Sequence, residues 1–416
     1  MILRARVVLP VSQPPIENGA LLIAGNRIGG VGRWEDLSPT RDKIFDLGDV
    51  VLLPGLVNAH CHLDYTDMAG EIPPQKSFTD WIRLMLAAKS GWSYSEFAES
   101  WLRGARMLVR TGTTTVGDIE AVPELLPEVW HATPLRVISF LEMTGVKSRR
   151  DPRAILHETV HRIDSLPSGR CKAGLSPHAP YSTLPEMLRL SAEIAHQRQW
   201  PMTSHVAESE QEFEMFARAT GPMFDWLWRN ERDMTDCGLG SPVQHVERAG
   251  ALEKLLAVHV NYLCETDAAV LKRRNVSVAH CPRSHFYFRH RPFPLAELTG
   301  ARVNICLGTD SLATVRKTRG QTVELNMFEE MHALKTARPG LSAEQILKMA
   351  TISGAQALGM LGEIGELSWN AFADLIAVPF ESSISEVHEA VVTFPGHVGA
   401  SMIDGQWVIA PKWIYD

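Results

Sequence analysis

The hydrophobic pattern of the chain changes near residue 54. Before that point, short apolar runs are separated by turns, and Gly25-Asn26 marks a turn between two of them, which predicts a small antiparallel β unit. From residue 54 to about residue 361, short apolar runs alternate instead with amphipathic stretches of helical period, such as 95–109 and 184–198. This alternation predicts an α/β fold.

Eight apolar runs in the second region are candidate strands, and helical stretches lie between them. Eight strand–helix units in about 300 residues match a (β/α)8 barrel of the TIM type. The candidate strands are 56–59, 113–118, 136–140, 172–176, 202–205, 257–260, 276–280 and 303–310.

Strand-like runs return after the barrel. The pattern predicts one helix over residues 343–360, and strands and turns beyond it. We expect the segment 362–416 to pair with residues 1–53 in a small composite β-sandwich-like domain. That domain would lie beside a catalytic barrel at 54–361.

Composition narrows the classes of partner. The 416 residues are 45% hydrophobic and 21% charged with a formal net charge of -7, so nothing indicates a surface for nucleic acid. No apolar run reaches the ~18 residues of a membrane span. The 6 cysteines are scattered without a C-x-x-C pair, which fits a reducing compartment. We therefore expect a cytoplasmic protein with a small-molecule substrate and neither a nucleic-acid nor a membrane partner.

Titratable side chains follow the candidate strands. In a barrel of this type the active site lies at the carboxyl ends of the strands. His60 and His62 are two positions apart, so their side chains point to the same face of one strand. Alone, this pair fits a polar strand face as well as a metal site, but histidines with only a structural role would be scattered along the strands. The other residues at strand ends are His178, His205 followed by Glu208, His259, His280 and Asp310.

Three of these imidazoles and one carboxylate can hold one divalent metal ion. His60, His62, His205 and Asp310 suit zinc, or Fe(II), with one position left open for water. Such an ion lowers the pKa of its water from about 15.7 to about 7, which gives a hydroxide nucleophile at neutral pH. Asp310 could both bind the metal and accept the proton of the water.

Two further residues are candidates for proton transfer. Glu208 is suited to carry a proton to a leaving group, although the dipole of a helix also favours a glutamate in its first turn. His259 could orient the water, or it could be a strand-end histidine bonded to the backbone. We expect His178 to contact the substrate, while the role of His280 stays open between support of the site and structure.

The sequence resembles the amidohydrolase superfamily along nearly its whole length, and within it the deaminase and chlorohydrolase branch. The resemblance implies a barrel with a composite β domain, one metal ion held by the four ligands above, and acid–base and water-orienting roles for Glu208 and His259. It also implies a substrate contact by His178, and a homodimer is common among such relatives. The matching segments are PGLVNAHCH at 54–62, HAPY at 178–181, SHVAE at 204–208, AHCP at 279–282, LGTDS at 307–311 and ADL at 373–375.

Three features differ from the adenosine-type deaminases of this branch. The stretch 283–289 replaces the Ser-Asn pair that many relatives have at this point, and Asp64 follows the His60-Cys61-His62 motif. Lys89 lies near the place where a glutamate that holds ribose hydroxyls is expected. Because specificity lies in the loops after the strands, we expect Asp64 and His285 to contact the substrate, as well as Glu208.

The leading hypothesis is a metal-dependent aminohydrolase. It would deaminate an aminopurine or a purine nucleoside-like substrate through attack of a metal-bound hydroxide. An alternative within the same site is another leaving group, as in a chlorohydrolase or a cyclic amidohydrolase. Cyclic-amide hydrolases of the superfamily usually hold two metals bridged by a carboxylated lysine on the fourth strand, and no lysine ends strand 172–176. A remote alternative is a non-catalytic binding protein on the same barrel.

Overall fold

The computed structural model describes residues 1–37, 43–147, 149–318 and 320–411. Sixteen strands and sixteen α-helices lie within these ranges. The strands are β1 (Ile2–Val8), β2 (Ile16–Ala24), β3 (Arg27–Arg33), β4 (Ile44–Asp46), β5 (Val50–Pro54), β6 (Leu56–Cys61), β7 (Thr113–Glu120), β8 (Arg136–Met143), β9 (Lys172–Pro177), β10 (Thr203–Val206), β11 (Leu256–His259), β12 (Ser277–His280), β13 (Asn304–Leu307), β14 (Leu375–Pro379), β15 (Ala400–Ile403) and β16 (Gln406–Ile409). The helices are α1 (Trp34–Leu37), α2 (Phe78–Lys89), α3 (Tyr94–Arg110), α4 (Leu126–Ala132), α5 (Pro152–Ser165), α6 (Pro185–Arg198), α7 (Glu210–Arg218), α8 (Pro222–Arg229), α9 (Pro242–Arg248), α10 (Asp267–Arg273), α11 (Pro282–Phe288), α12 (Leu295–Gly300), α13 (Met327–Ala337), α14 (Ala343–Met349), α15 (Ile352–Ala357) and α16 (Val387–Val392).

Strands from both ends of the chain form one mixed sheet, of order β16-β15-β14-β5-β1-β2-β3 with β4 beside β1. The largely buried strand β5 lies parallel to β1 on one side and antiparallel to β14 on the other. It therefore connects the strands of the amino-terminal segment with those of the carboxyl-terminal segment. In the described ranges these strands therefore form a single sheet rather than the two facing sheets of a sandwich. The composite domain of 1–53 and 362–416 stays a prediction, and its residues 38–42 and 412–416 lie outside the described ranges.

The eight predicted strands between residues 56 and 310 are all present and form two parallel sheets. One has the order β6-β7-β8-β9 and the other β10-β11-β12-β13. Isolated parallel bridges join the sheets at both seams, Leu175 with Met202 and Cys61 with Asp310. All eight strands therefore run in one direction, and their carboxyl ends gather at one end of the fold. Helices lie between the strands, which confirms the α/β class.

A buried ion pair connects the mixed sheet to the parallel strands. Arg136, the first residue of β8, donates from Nε to Oδ2 of Asp374 at 2.9 Å, and both side chains are almost fully buried. Arg136 also contacts Asp404, 3.3 Å away, near the β15–β16 turn. The pair fixes the carboxyl-terminal strands against the amino end of β8.

The single helix predicted over residues 343–360 is wrong, because the structure has two helices there, α14 and α15. Ala350 lies between them, and its carbonyl accepts from the backbone N–H of Val57 at 2.8 Å. Thr351 has φ -138° and ψ -96°, which is not helical. A tertiary bond to β6 therefore interrupts a sequence that favours a continuous helix. Within the described residues, no helix has both the length and the apolar character needed to cross a membrane.

Candidate metal centre

His60 and His62 come from the end of β6, a strand whose residues are all buried. Their ring centroids lie 5.0 Å apart, and both side chains are buried. Neither ring nitrogen of His60 has a hydrogen-bond partner among the described residues. An unpartnered buried imidazole is costly, so this histidine is suited to a ligand that the protein itself does not supply.

Asp310 is brought to His60 by a close approach of strand ends. A Cβ at Gly308 would lie 2.7 Å from the His60 carbonyl, so only glycine allows the chain after β13 to pass there. The backbone N–H of Asp310 then donates to that carbonyl. Oδ1 of Asp310 lies 3.6 Å from Nε2 of His60, while Oδ2 accepts from the Ser284 and Thr314 hydroxyls at 2.6 and 3.2 Å. One carboxylate oxygen is therefore held by the protein and the other faces the imidazoles.

His205, at the end of β10, has a defined tautomer. Its Nδ1 lies 2.9 Å from the His178 carbonyl, which can only accept, so Nδ1 carries the hydrogen. Nε2 keeps its lone pair for a metal, in the usual arrangement of a metal-binding histidine. Burial, together with His178 and His60, lowers the pKa of His205 to about 3. Burial and His60 also lower the pKa of His62 well below its usual value, so both rings are neutral, as metal binding requires.

The donor atoms of the site form overlapping groups whose members lie within 4.8 Å of one another. Because His60 or Asp310 belongs to every group, the four predicted metal ligands converge on one region, with His259 and Glu208 beside it. Three nitrogens and one carboxylate oxygen suit a divalent ion, and the unpartnered nitrogens of His60 support that fit. The groups are His60, His62 and Asp310; His60, His205 and His259; and Glu208, His259 and Asp310.

Glu208 lies in the turn before α7, not in its first turn. Ser209 caps the helix by accepting from Glu212 N–H, so the helix-dipole explanation of Glu208 does not hold. The Glu212 carboxylate accepts from the N–H groups of Ala207 and Glu208 at 3.0 and 2.8 Å, and Asn261 donates to the Glu208 carbonyl at 2.9 Å. The backbone of the turn is therefore held on both sides.

The Glu208 side chain faces His259. Its Oε1 lies 3.4 Å from Nε2 of His259, whose ring stacks on His205 with centroids 5.4 Å apart. Burial, with Asp310 and Glu212, raises the pKa of Glu208 well above its ordinary value. Glu208 can therefore keep a proton at a pH where an exposed glutamate has lost it, as a general acid needs.

Backbone strain is concentrated at these strand ends. Ala207, His259, Val260 and Asp310 have φ values of 53°, 73°, 49° and 55°. Such values are uncommon outside glycine and exceptional for a β-branched valine. Strained residues of this kind cluster at functional sites because the surrounding structure holds them. Here they turn the strands so that their last side chains face the same region.

A cavity of about 340 Å³ opens onto this region. It is lined by Glu208 and His259 and by three of the four predicted metal ligands, His62, His205 and Asp310, and its walls include the rings of Phe78, Trp81 and Trp226. His178 also lines it, with Nδ1 2.7 Å from the Ser182 hydroxyl. A small cavity with aromatic rings and several titratable side chains in its wall fits a planar heteroaromatic ligand.

The structure places Asp64 and His285 outside the cavity wall. Asp64 lies in a 3₁₀ turn that points it inward, and it is fully buried, so burial and nearby Asp118 raise its pKa well above the usual value. His285 lies on α11, where Nδ1 is 3.0 Å from Oδ1 of Asn261. His285 therefore supports the turn that contains Glu208, through Asn261, and does not reach the cavity. His280 stacks on Phe293, with ring centroids 3.9 Å apart.

Sequence reasoning missed residues that the fold brings to the cavity from α2 and β8. Phe78 and Trp81 come from α2, and Glu142 from β8, while Lys89, which the sequence had marked as a difference from related deaminases, also lines the cavity from α2. The spacing of Phe78 and Trp81, one helical turn apart, was the available signal. Nothing local marks Glu142, because its position depends on how β8 ends.

Buried imidazoles and carboxylates gathered at the ends of parallel strands, and fit to hold a divalent ion, define a metal-dependent hydrolase. The chain belongs to the amidohydrolase family, since the sequence model described as Amidohydrolase family matches residues 51–408.

Known proteins resemble the chain along most of its length. A 5-methylthioadenosine/S-adenosylhomocysteine deaminase of Syntrophobacter fumaroxidans is 30% identical over 87% of this chain and 80% of the relative. The structure of Helicobacter pylori aminofutalosine deaminase in complex with methylthio-coformycin has a TM-score of 0.86 at 21% identity, over 98% of this chain and 100% of that one. An adenosine deaminase of Xanthomonas campestris with bound zinc has a TM-score of 0.82 at 22% identity, over 99% and 93% of the two chains. The two structures support the same fold.

Proposed function

We propose that the protein is an aminohydrolase that removes the exocyclic amino group of an aminopurine or purine nucleoside-like substrate. The observation that carries this proposal is the buried Glu208, whose Oε1 lies 3.4 Å from Nε2 of His259 beside the convergent ligand set in a cavity with aromatic walls. The deaminase relatives, named for adenosine-derived substrates, support the substrate class.

We propose that His60, His62, His205 and Asp310 hold one divalent ion, with zinc favoured by the chemistry of three nitrogens and one oxygen. Such an ion activates water as a nucleophile at neutral pH. Ser284 and Thr314 fix Oδ2 of Asp310, so Oδ1 would be free to accept a proton of the attacking water. His259 would orient that water.

Glu208 supplies the second proton transfer. Its carboxylic acid protonates a ring nitrogen next to the attacked carbon, so that the carbon takes up the water oxygen. Asp310 would then pass the proton it took from water to the exocyclic nitrogen, which leaves as ammonia. The hydroxyl proton of the attacked carbon would return to Glu208, so that both carboxyl groups regain their starting forms and the carbon–oxygen bond remains in the product. Substrate amine and water thus give ammonia and the oxo compound, with no other reactant. His178 contacts the substrate from the cavity wall.

The fold proposal is a closed (β/α)8 barrel with a composite domain built from the two terminal segments. The two bridges at the seams support closure of the barrel, and the shared mixed sheet supports the composite domain. Proteolytic cleavage at exposed loops between the barrel and the composite domain would test this arrangement. Fragments that separate without denaturant would contradict it, because the ion pair between Arg136 and Asp374 should hold the two domains together.

Ammonia release from a panel of aminopurines and adenosine derivatives by zinc-loaded protein tests the function. The variant Glu208→Gln should lose turnover by about 100-fold or more while it still binds one metal ion per chain, because a proton-transfer group contributes roughly 10²–10⁴-fold. Glu214→Gln, on α7 just after the turn that contains Glu208 and outside the cavity, is the matched control. Full activity of Glu208→Gln would remove this residue from its role, and two metal ions per chain would contradict the site.

A further inference from the structure

Helix α2 carries part of the cavity wall on its first turn. The rings of Phe78 and Trp81 line the cavity, with centroids 5.9 Å apart and planes inclined by 19°. We call these two rings the aromatic wall. Few residues of the helix are buried against the rest of the protein, since of its 12 residues these are Phe78, Thr79 and Met85. The position of the aromatic wall therefore depends on how the amino end of α2 is held.

Gln211, in the first turn of α7, accepts hydrogen bonds from the amino end of α2. Its Oε1 lies 2.7 Å from Thr79 Oγ1, 2.9 Å from the Thr79 backbone nitrogen and 3.3 Å from Ser77 Oγ. A backbone N–H can only donate, so the oxygen of the Gln211 amide faces α2. This N–H is one of the helix-end donors that have no partner within the helix, and the N-cap Ser77 accepts from another, that of Asp80. Gln211 therefore shares the capping of α2 with Ser77.

The turn of α7 from which Gln211 reaches α2 is itself firmly held. Ser209 caps this helix by accepting from the Glu212 N–H at 3.1 Å. The Glu212 side chain is fully buried and accepts from the backbone N–H groups of Ala207 and Glu208. Gln211 is not among the described residues that line the cavity. Its contact with α2 thus fastens the aromatic wall to a fixed part of the site.

We infer that Gln211 is a positioning residue, which sets the aromatic wall for the ring of the substrate by holding the amino end of α2. This inference rests on the proposed function, which supplies the flat ring that the wall contacts. Aromatic side chains bind such a ring through buried apolar area and stacking, and this contact exists only while the wall keeps its place. The wall touches the ring before and during the reaction alike, so its displacement weakens binding and leaves the rate of the bound substrate largely unchanged.

Binding of inosine, which has no exocyclic amine to lose, tests the inference without turnover. In calorimetric titration of the zinc-loaded protein, Gln211→Met should weaken inosine binding about 10-fold, because it removes the acceptor of three donors at a similar side-chain length. Gln211→Glu keeps an acceptor oxygen and should stay within about 3-fold of the unmodified protein. Glu214→Gln, on α7 and outside the cavity, is the matched control. Unchanged binding in Gln211→Met, or no binding by the unmodified protein, would overturn the inference.

Hydrogen exchange shows whether the effect passes through α2. The amides of residues 79–82 should exchange about 10-fold faster in Gln211→Met, as expected for the loss of one hydrogen bond, while those of α3 stay unchanged. Thr79→Val removes one donor of the same contact. The double variant should therefore bind inosine no more weakly than Gln211→Met alone. Additive losses of binding, or unchanged exchange in α2, would contradict the role of Gln211.

Kinetics with adenosine distinguish Gln211 from its neighbour Glu212. Gln211→Met should raise KM roughly 10-fold, with kcat changed by less than about 3-fold and zinc content unchanged. A fall in kcat with KM unaltered, or loss of zinc, would show a general disturbance of α7 and overturn the inference.

The outcome for the proposed function is read separately, from ammonia release. Inosine binding that depends on Gln211, without ammonia release from adenosine, contradicts only the deaminase proposal. Ammonia release together with unchanged inosine binding in Gln211→Met contradicts only the role of Gln211.

Discussion

Glu212 offers a test of how the protein places its proton-transfer group. It does not line the cavity, but its two carboxylate oxygens accept from the backbone N–H groups of Ala207 and Glu208. Ala207 has a φ of 53°, a conformation that a non-glycine residue keeps only when its surroundings hold it. We therefore predict that Glu212 acts as a positioning residue for Glu208.

The expected loss of kcat follows from the two hydrogen bonds that the Glu212 carboxylate accepts. A hydrogen bond to a charged group contributes about 1.5–3 kcal/mol, and a buried donor left without a partner costs a similar amount. Glu212→Gln keeps one acceptor, so kcat should fall roughly 10-fold if the lost bond is felt in the transition state. Glu212→Met removes both acceptors at similar length, so kcat should fall roughly 100-fold or more.

The assay compares kcat, KM and zinc content in these two variants and in Glu214→Gln as the control. It is run at pH 9, because burial raises the pKa of Glu212 to about 8 and the ionised carboxylate is the form that accepts both bonds most strongly. A positioning role lowers kcat with little change in KM or zinc content. Equal kcat in the Met variant would refute the reasoning, and a parallel loss of zinc would show that Glu212 supports the whole site instead.

Three further predictions concern stability. Removal of metal with a chelator should lower the melting temperature and zinc should restore it, since a ligand at 100 times its Kd contributes about 2.7 kcal/mol; His60→Ala should not respond to either treatment. Arg136→Met should destabilise the protein by about 3–5 kcal/mol in denaturant titration, because it leaves buried Asp374 unpaired, and a change below 1 kcal/mol would contradict this. Burial lowers the pKa of His245 in the folded protein to about 4. As the pH falls below about 6.5, His245 therefore takes up a proton in the unfolded chain before it does so in the folded protein, and the free energy of unfolding decreases until about pH 4. About 2 kcal/mol of this is gone at pH 5, and His245→Phe should be less acid-sensitive by that amount in melting curves at pH 7.5 and 5.

The strands and the convergence of the four candidate ligands could be predicted because both are encoded locally. Each parallel strand is a short apolar run, and the residue that ends it is also the residue that faces the site. His60 and His62 need only the two-residue repeat of a strand to share a face. For the same reason Asp310 could be predicted, although its left-handed backbone could not.

The cavity wall could not be predicted, because it depends on contacts between distant segments. Lys89 reaches the cavity through the packing of α2, and Glu142 through the end of β8. Asp64 looked like a pocket residue in sequence, but the 3₁₀ turn after His62 points it inward. Ala350 ends a helix that local propensity would continue, because its carbonyl pairs with Val57. In each case a tertiary contact overrides the local pattern.

The position of β5 in the mixed sheet affects how the protein is made. β5 pairs with β1, which precedes it closely, but its other edge waits for β14, about 320 residues later. At roughly 5–20 residues per second, synthesis leaves that edge open for roughly 15–60 s. Val50–Pro54 is an apolar strand with unpaired N–H and C=O groups during this time, which is the kind of edge that recruits other chains. Nascent chains that stall before Leu375 are therefore the species most exposed to aggregation and most dependent on chaperones.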